Sequence, residues 1–325
     1  MEEREALRRR KAGYGFIAVT ALIYSTTEVS LKSAESSFGT MQLIVLRVLA
    51  GGLILLPFAL RQLRRRRISL CREDMIRFLG LGFVCVALQI TFLQLALNAM
   101  DASAVAAIYS GNPIFAAVFA HFILKEPLPR RYLAALGLEA AGILLILNPL
   151  HLQISLAGFL FVSVSTVTFA LYGTFSRLII PKYGSVPVAC LVLLTGGLEL
   201  LLVTLLGNIP AVADLLSRMG LGLFAHVSLT GGFTLRSTLV FGYICLAVTA
   251  GGYLLLAKAV EYTSSVEASF VYLFKPILAA VFSVLLLHET ISWNRGAGIA
   301  LFTAASLIAI LPVFLEMRRE SGARL

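Results

Sequence analysis

The sequence predicts an all-α integral membrane protein: ten transmembrane helices in a 5+5 inverted-topology repeat, with both termini cytoplasmic. Three observations carry this expectation. The composition is apolar and divides into spans of membrane length, one segment occurs twice, and lysine and arginine fall on one side. Of 325 residues, 59% are hydrophobic and 14% charged, with a mean hydropathy of +0.91. A soluble domain carries about 25% charged residues, so this chain lacks the polar surface that a soluble fold of its length needs.

The repeated segment sets the organisation. Tyr109 to Glu126 reads YSGNPIFAAVFAHFILKE, and Tyr272 to Glu289 reads YLFKPILAAVFSVLLLHE. At an offset of 163, without a gap, nine of the eighteen positions are identical. Self-similarity at one long offset marks a duplicated unit. It divides the chain into five-helix repeats at 1–150 and 151–325. Because five is odd, the second repeat enters the bilayer from the opposite face.

The ten spans cover roughly 12–33, 41–60, 76–98, 102–124, 132–149, 155–176, 186–207, 238–257, 265–287 and 296–315. Each is near the ~20 residues that cross a bilayer. With the N-terminus inside, the inside segments hold 21 of the 27 Lys and Arg residues, as the positive-inside rule requires. The run Arg64 to Arg67 reads as a topology anchor against anionic lipid rather than a nucleic-acid site. The basic N-terminus leads into an apolar stretch without a cleavage signal and is read as a retained first helix. Cys71, Cys85, Cys190 and Cys245 have no metal-type spacing and suggest no disulfide framework.

Taken in order, the spans carry polar residues at telling depths. In the first, Tyr24, Glu28 and Lys32 share one face at i, i+4, i+8. Glu28 reads either as a proton-exchanging carboxyl or as the partner of Lys32. Arg47, about 10 Å into the second span by helical rise, reads as a partner for a carboxylate or a lipid headgroup. The third span supplies Gln89 and Gln94, ligand contacts or interhelical glue. In the fourth, Pro113 lacks an N–H and frees the carbonyl of Tyr109, predicting a kink. Glu139 lies mid-span in the fifth. The sixth carries the stripe Ser165, Thr168, Tyr172. Between the seventh span, which holds Glu199, and the eighth, Pro210 begins an amphipathic stretch expected to form a short helix on the outer surface.

The ninth span holds the strongest anomaly. Lys275 lies about 15 Å from its start, near the midplane of a ~30 Å core. An ammonium there costs about 2.5–3.5 kcal/mol unless it faces a cavity or a carboxylate. It reads as a ligand for a substrate carboxylate or phosphate, or as an ion-pair partner of Glu267, Glu28 or Glu199. Asn112 is its counterpart in the first repeat. Pro276 repeats Pro113 and frees the carbonyl of Tyr272. Glu126 and Glu289 end the repeated helices as caps or surface ion pairs.

A Pro-containing helix, a Glu at its end, a tight turn and a glycine-bearing final helix, occurring twice, resemble the drug/metabolite transporter superfamily. Within it the chain is similar to the ten-helix EamA type. Tyr24 to Lys32, Leu46-Arg47, and the paired stretches 99–105 and 260–266 fit the same pattern. Two positions depart: Tyr24-Ser25 stands where an aromatic-Gly pair is usual, and Lys275 where the family commonly has Glu. The resemblance implies a secondary, alternating-access transporter of a small polar metabolite, with a cavity at the repeat interface. It implies an amino-acid or related metabolite exporter in a bacterial cytoplasmic (inner) membrane. Exchange of phosphorylated or other anionic metabolites, or efflux of cationic drugs, are the alternatives. The candidate substrate-binding residues are Tyr24, Glu28, Gln89, Tyr109, Asn112, Tyr172, Glu267, Tyr272 and Lys275, with Pro113 and Pro276 as gating kinks.

No nucleophile elbow, Walker, HExxH or kinase pattern occurs. His121, His151, His226 and His288 are scattered without metal spacing. Neither catalysis, a metal nor a cofactor is expected, and a buried Glu28 carboxyl is compatible with proton coupling. The expected partners are a small-molecule substrate and the lipid bilayer, with no nucleic acid. A monomer is compatible with the pattern.

Overall fold

The computed structural model describes residues 2–126, 130–147, 155–219, 221–287, 292–294, 296–305 and 307–308. Every long regular element among them is an α-helix. Five helices are long and apolar enough to cross a bilayer unbroken: α3 (Thr40–Arg65), α4 (Arg72–Ala99), α8 (Leu156–Tyr183), α9 (Ser185–Leu206) and α11 (Leu235–Tyr262). The first span is divided into α1 (Glu2–Ser25) and α2 (Thr27–Glu35). The fourth is divided into α5 (Ala102–Tyr109) and α6 (Asn112–Leu124), and the ninth into α12 (Ser265–Ser269) and α13 (Val271–Leu287). The fifth is α7 (Arg130–Leu147). The tenth is described as α14 (Gly296–Ala305). Its far end lies outside the described residues, as do Glu289, His151 and His288. The short helix expected after the seventh span is α10 (Pro210–Arg218), with Pro210 in its first turn.

A serine that bonds back to the preceding turn stands at each of the three breaks. Ser25 Oγ donates to the Ala21 carbonyl at 2.6 Å, Ser110 Oγ to Ala106 at 2.6 Å, and Ser269 Oγ to Val266 at 2.7 Å. Serine hydroxyls that bond back to the preceding turn compete with the helix ladder. The expected kink at Pro113 is corrected by this: the helix stops at Ser110-Gly111, and Pro113 sits in the first turn of a new helix. There its missing N–H has no partner to lose. Pro276 lies inside α13, which continues through it.

The two repeats meet around α3 and α9. A Cβ on Gly52 would come within 2.7 Å of Leu194, and one on Gly197 within 2.9 Å of Leu49. Shifted by 145 residues, 52 becomes 197 and 49 becomes 194, so the two contacts are one contact seen twice, as in an isologous interface. Both helices carry the same motif, Leu49-Ala50-Gly51-Gly52-Leu53 and Leu194-Thr195-Gly196-Gly197-Leu198. Small residues let the backbones approach closely. The neighbouring glycines repeat the relation. A Cβ on Gly51 would come within 2.7 Å of Thr249 Cγ2, and one on Gly196 within 2.8 Å of Val86 Cβ. Thr249 and Val86 are related by the offset of 163, and each lies in a stretch of π-helical pitch, Ile244–Gly251 in α11 and Phe83–Leu88 in α4. Each repeat therefore seats a Gly-Gly pair against the widened helix of the other.

Candidate substrate site

The broken helices converge on a cavity between the repeats. The first repeat contributes Tyr24 (α1), Thr27 (α2), Arg47 (α3), Gln89, Ile90 and Leu93 (α4) and Tyr109 (α5). The second contributes Phe169 (α8), Val248, Thr249 and Tyr253 (α11), and Tyr272 and Lys275 (α13). The volume is about 40 Å³, room for a few waters. Gly252 makes space for one wall, since any Cβ there would run into the Tyr24 ring.

Lys275 is 2% exposed and Glu28 is fully buried, and they form an ion pair that joins the two repeats. Of the three carboxylates the sequence offers Lys275, Glu28 is the partner. The break at Thr26 explains its position, for Glu28 lies in the first turn of α2, where a helix terminus favours negative charge. The Lys275 ammonium also lies 4.3 Å from the Tyr109 ring centroid and 5.8 Å from that of Tyr272, a cation–π setting. Tyr24 stacks on Tyr272 at 6.1 Å, Tyr109 meets Tyr272 edge-on at 5.6 Å, and Phe169 touches Tyr24, Tyr109, Tyr172, Tyr253 and Tyr272.

Several other predicted residues fall elsewhere or are already engaged. Lys32 does not pair with Glu28; its ammonium donates to the Met100 carbonyl at 3.1 Å. Glu267 does not reach Lys275 and instead binds Arg10 at 2.8 Å, near the start of α1. Glu199 lines a separate, apolar cavity of about 460 Å³. The Gln89 amide donates to Tyr109 Oη at 3.0 Å and Ser165 Oγ at 3.1 Å, and accepts from Tyr253 Oη at 3.3 Å. It ties four helices together and has no donor left for a ligand. Asn112 donates to the Thr166 carbonyl at 3.2 Å and lines a smaller neighbouring cavity with Ser265 and Tyr272. Tyr172 is buried against Tyr253 and Phe169, behind the cavity wall.

Arg47 is the residue whose setting the sequence reading missed. It is 3% exposed, which rules out a lipid headgroup as its partner, and it lines the cavity. Its depth was readable, its direction less so. The usable signal was its place one turn before Gly51 (i, i+4), on the face that joins the repeats.

Polar contacts close both ends. At one, Arg10 pairs with Glu267, Arg66 with Glu261 at 3.7 Å and Arg177 with Glu126 at 4.0 Å, while Arg177 also donates to the Val260 carbonyl at 2.9 Å. Burial holds the Glu126 carboxyl above its ordinary range even beside Arg177. At the other end, Gln94 donates to Glu35 at 2.8 Å and Gln42 to the Gly231 carbonyl at 2.6 Å. Among the described residues, no three His, Cys, Asp or Glu side chains form a metal-type cluster.

A multi-pass helical membrane protein whose repeats enclose a charged, aromatic-walled cavity is built to pass a small molecule. The model of the EamA-like transporter family matches residues 11–148 and again 156–311. The chain belongs to this family and is a membrane transporter, not an enzyme. It is 30% identical over 306 residues to an uncharacterized transporter of Clostridium kluyveri, covering 92% of this chain and 93% of that one. It is 24% identical over 250 residues to an uncharacterized transporter of Archaeoglobus fulgidus, covering 76% and 79%. A solved crystal structure at 14% identity shares the fold with a TM-score of 0.69, over 93% of this chain and 97% of that one.

Proposed function

We propose that this protein is a secondary, alternating-access transporter that exports a small polar metabolite of the amino-acid class. We place it in a bacterial cytoplasmic membrane, with ten spans in a 5+5 inverted arrangement and both termini cytoplasmic. The Glu28–Lys275 pair carries the reading. It joins one residue from each repeat and is sealed from solvent, at an energetic cost that purely structural packing does not require.

In this reading the cavity is occluded and admits substrate only when the repeats move apart at one end. The reciprocal glycine contact between α3 and α9 is the pivot, and the ion pairs on one side and the Gln42–Gly231 contact on the other are the two gates. Substrate enters beside the Glu28–Lys275 pair, so occupancy and the link between repeats influence one another. With Arg47 and Lys275 against Glu28, the charge balance disfavours the cationic-drug alternative and keeps anionic metabolites as the second reading.

The test is uptake of labelled amino acids into right-side-out and inside-out proteoliposomes. Export predicts faster accumulation in the inside-out vesicles. Equal, protein-independent leakage in both would sink the reading.

A further inference from the structure

The cavity wall has an imbalance that the Glu28–Lys275 pair does not absorb. Five lining residues carry buried polar atoms without a hydrogen-bond partner among the described residues: Tyr24 Oη, Thr27 Oγ1, Arg47 Nε and Nη2, Thr249 Oγ1 and Tyr272 Oη. All of these lining atoms can donate a proton; the one unpartnered acceptor beside them is Glu28 Oε2, the oxygen that Lys275 does not bind. Buried donors left unsatisfied are costly, and a guanidinium stays charged in any protein setting. Arg47 and Lys275 contribute two positive charges and Glu28 one negative, leaving a surplus of one positive charge, on Arg47.

We infer that Arg47 is the substrate's anion ligand and that the site takes a molecule bearing one free carboxylate. This rests on the reading of the cavity as a transporter's substrate site. The planar fork of a guanidinium matches the two oxygens of a carboxylate, and the four hydroxyls come from both repeats to share the remaining lone pairs. One negative charge balances the surplus, whereas a phosphate dianion overshoots it. Lys275, the more conspicuous cation, is committed to Glu28 and the Tyr109 ring. An ammonium-only ligand meets a cavity of like charge, which desolvation makes more repulsive.

Thermal unfolding of the purified full chain against propionate, L-alanine and ethylamine tests this. The three probes share a two-carbon unit and carry a carboxylate alone, both charges, or an ammonium alone. Propionate and alanine are expected to raise the melting temperature, because a ligand that binds only the native state stabilises it. Ethylamine is not. Arg47→Gln is expected to raise the half-maximal propionate concentration about ten- to a hundredfold, and Arg47→Lys to restore part of the loss. Should Arg47→Gln fail to fold, Thr249→Val and Tyr272→Phe each remove one donor and are expected to weaken propionate about threefold to tenfold. Stabilisation by ethylamine alone, no shift with any probe, or an unchanged propionate response in the variants overturns the inference. Propionate binding without flux across liposomes overturns the transport reading and leaves the ligand assignment standing. Flux of ethylamine but not propionate does the reverse.

Discussion

Replacing Lys275 by methionine removes the ammonium and keeps a side chain of similar length. Glu28, fully buried, is then left as an unpaired carboxylate. Removing one partner of a buried pair costs about 3–5 kcal/mol, whereas removing both costs little. Lys275→Met is therefore expected to lose about 3 kcal/mol, and the double variant Glu28→Gln with Lys275→Met to return to within about 1 kcal/mol of the parent. The reverse single change is milder. In Glu28→Gln the ammonium keeps the Tyr109 ring at 4.3 Å, an attraction of about 1–2 kcal/mol in a dry site. The expected order of stability is parent, double variant, Glu28→Gln, Lys275→Met. Reversible unfolding in mixed micelles measures it. A Lys275→Met protein as stable as the parent, or a double variant no better than it, would refute the claim that each charge is present for the other.

Three further predictions follow from close contacts. Gly252→Ala is expected to displace the Tyr24 ring at a cost of about 1–3 kcal/mol and to abolish transport while the protein still folds; normal uptake by this variant would contradict the site. Gly52→Leu and Gly197→Leu are expected to destabilise by similar amounts, at least about 1–3 kcal/mol each, because they breach equivalent halves of one contact; thermal melts that differ grossly between them would count against the two-fold relation. Gln89→Leu removes three side-chain hydrogen bonds and is expected to cost about 3 kcal/mol at ~1 kcal/mol each, measured by the same unfolding.

The repeat between the fourth and ninth spans is plain in the sequence because it is gapless and half identical. The Leu-x-Gly-Gly-Leu repeat in α3 and α9 is equally real but displaced, with an offset of 145 instead of 163. The difference of 18 residues falls between α9 and α11, where α10 and its flanking loops are inserted, and one fixed offset cannot find both. Depth along a span is legible from helical rise, and it placed Lys275 and Arg47 inside the membrane. Direction around the helix is not, which is why Glu267, two turns from Lys275 on paper, proved to serve Arg10 once the helix broke at Phe270. The breaks after Ser25, Ser110 and Ser269 are not legible, since Ser163, Thr166 and Thr174 make the same backward bond inside an unbroken helix. What no periodicity reveals is which of three carboxylates on different helices meets a given lysine.

In the proposed mechanism the two repeats expose one shared cavity alternately. It is tested most directly by counterflow in proteoliposomes, using a compound that stabilises the purified protein. Entry of the labelled compound should accelerate when the same unlabelled compound is inside, and the acceleration should vanish in Lys275→Met. A compound that binds and stabilises the protein yet crosses no faster than in protein-free vesicles would contradict the account.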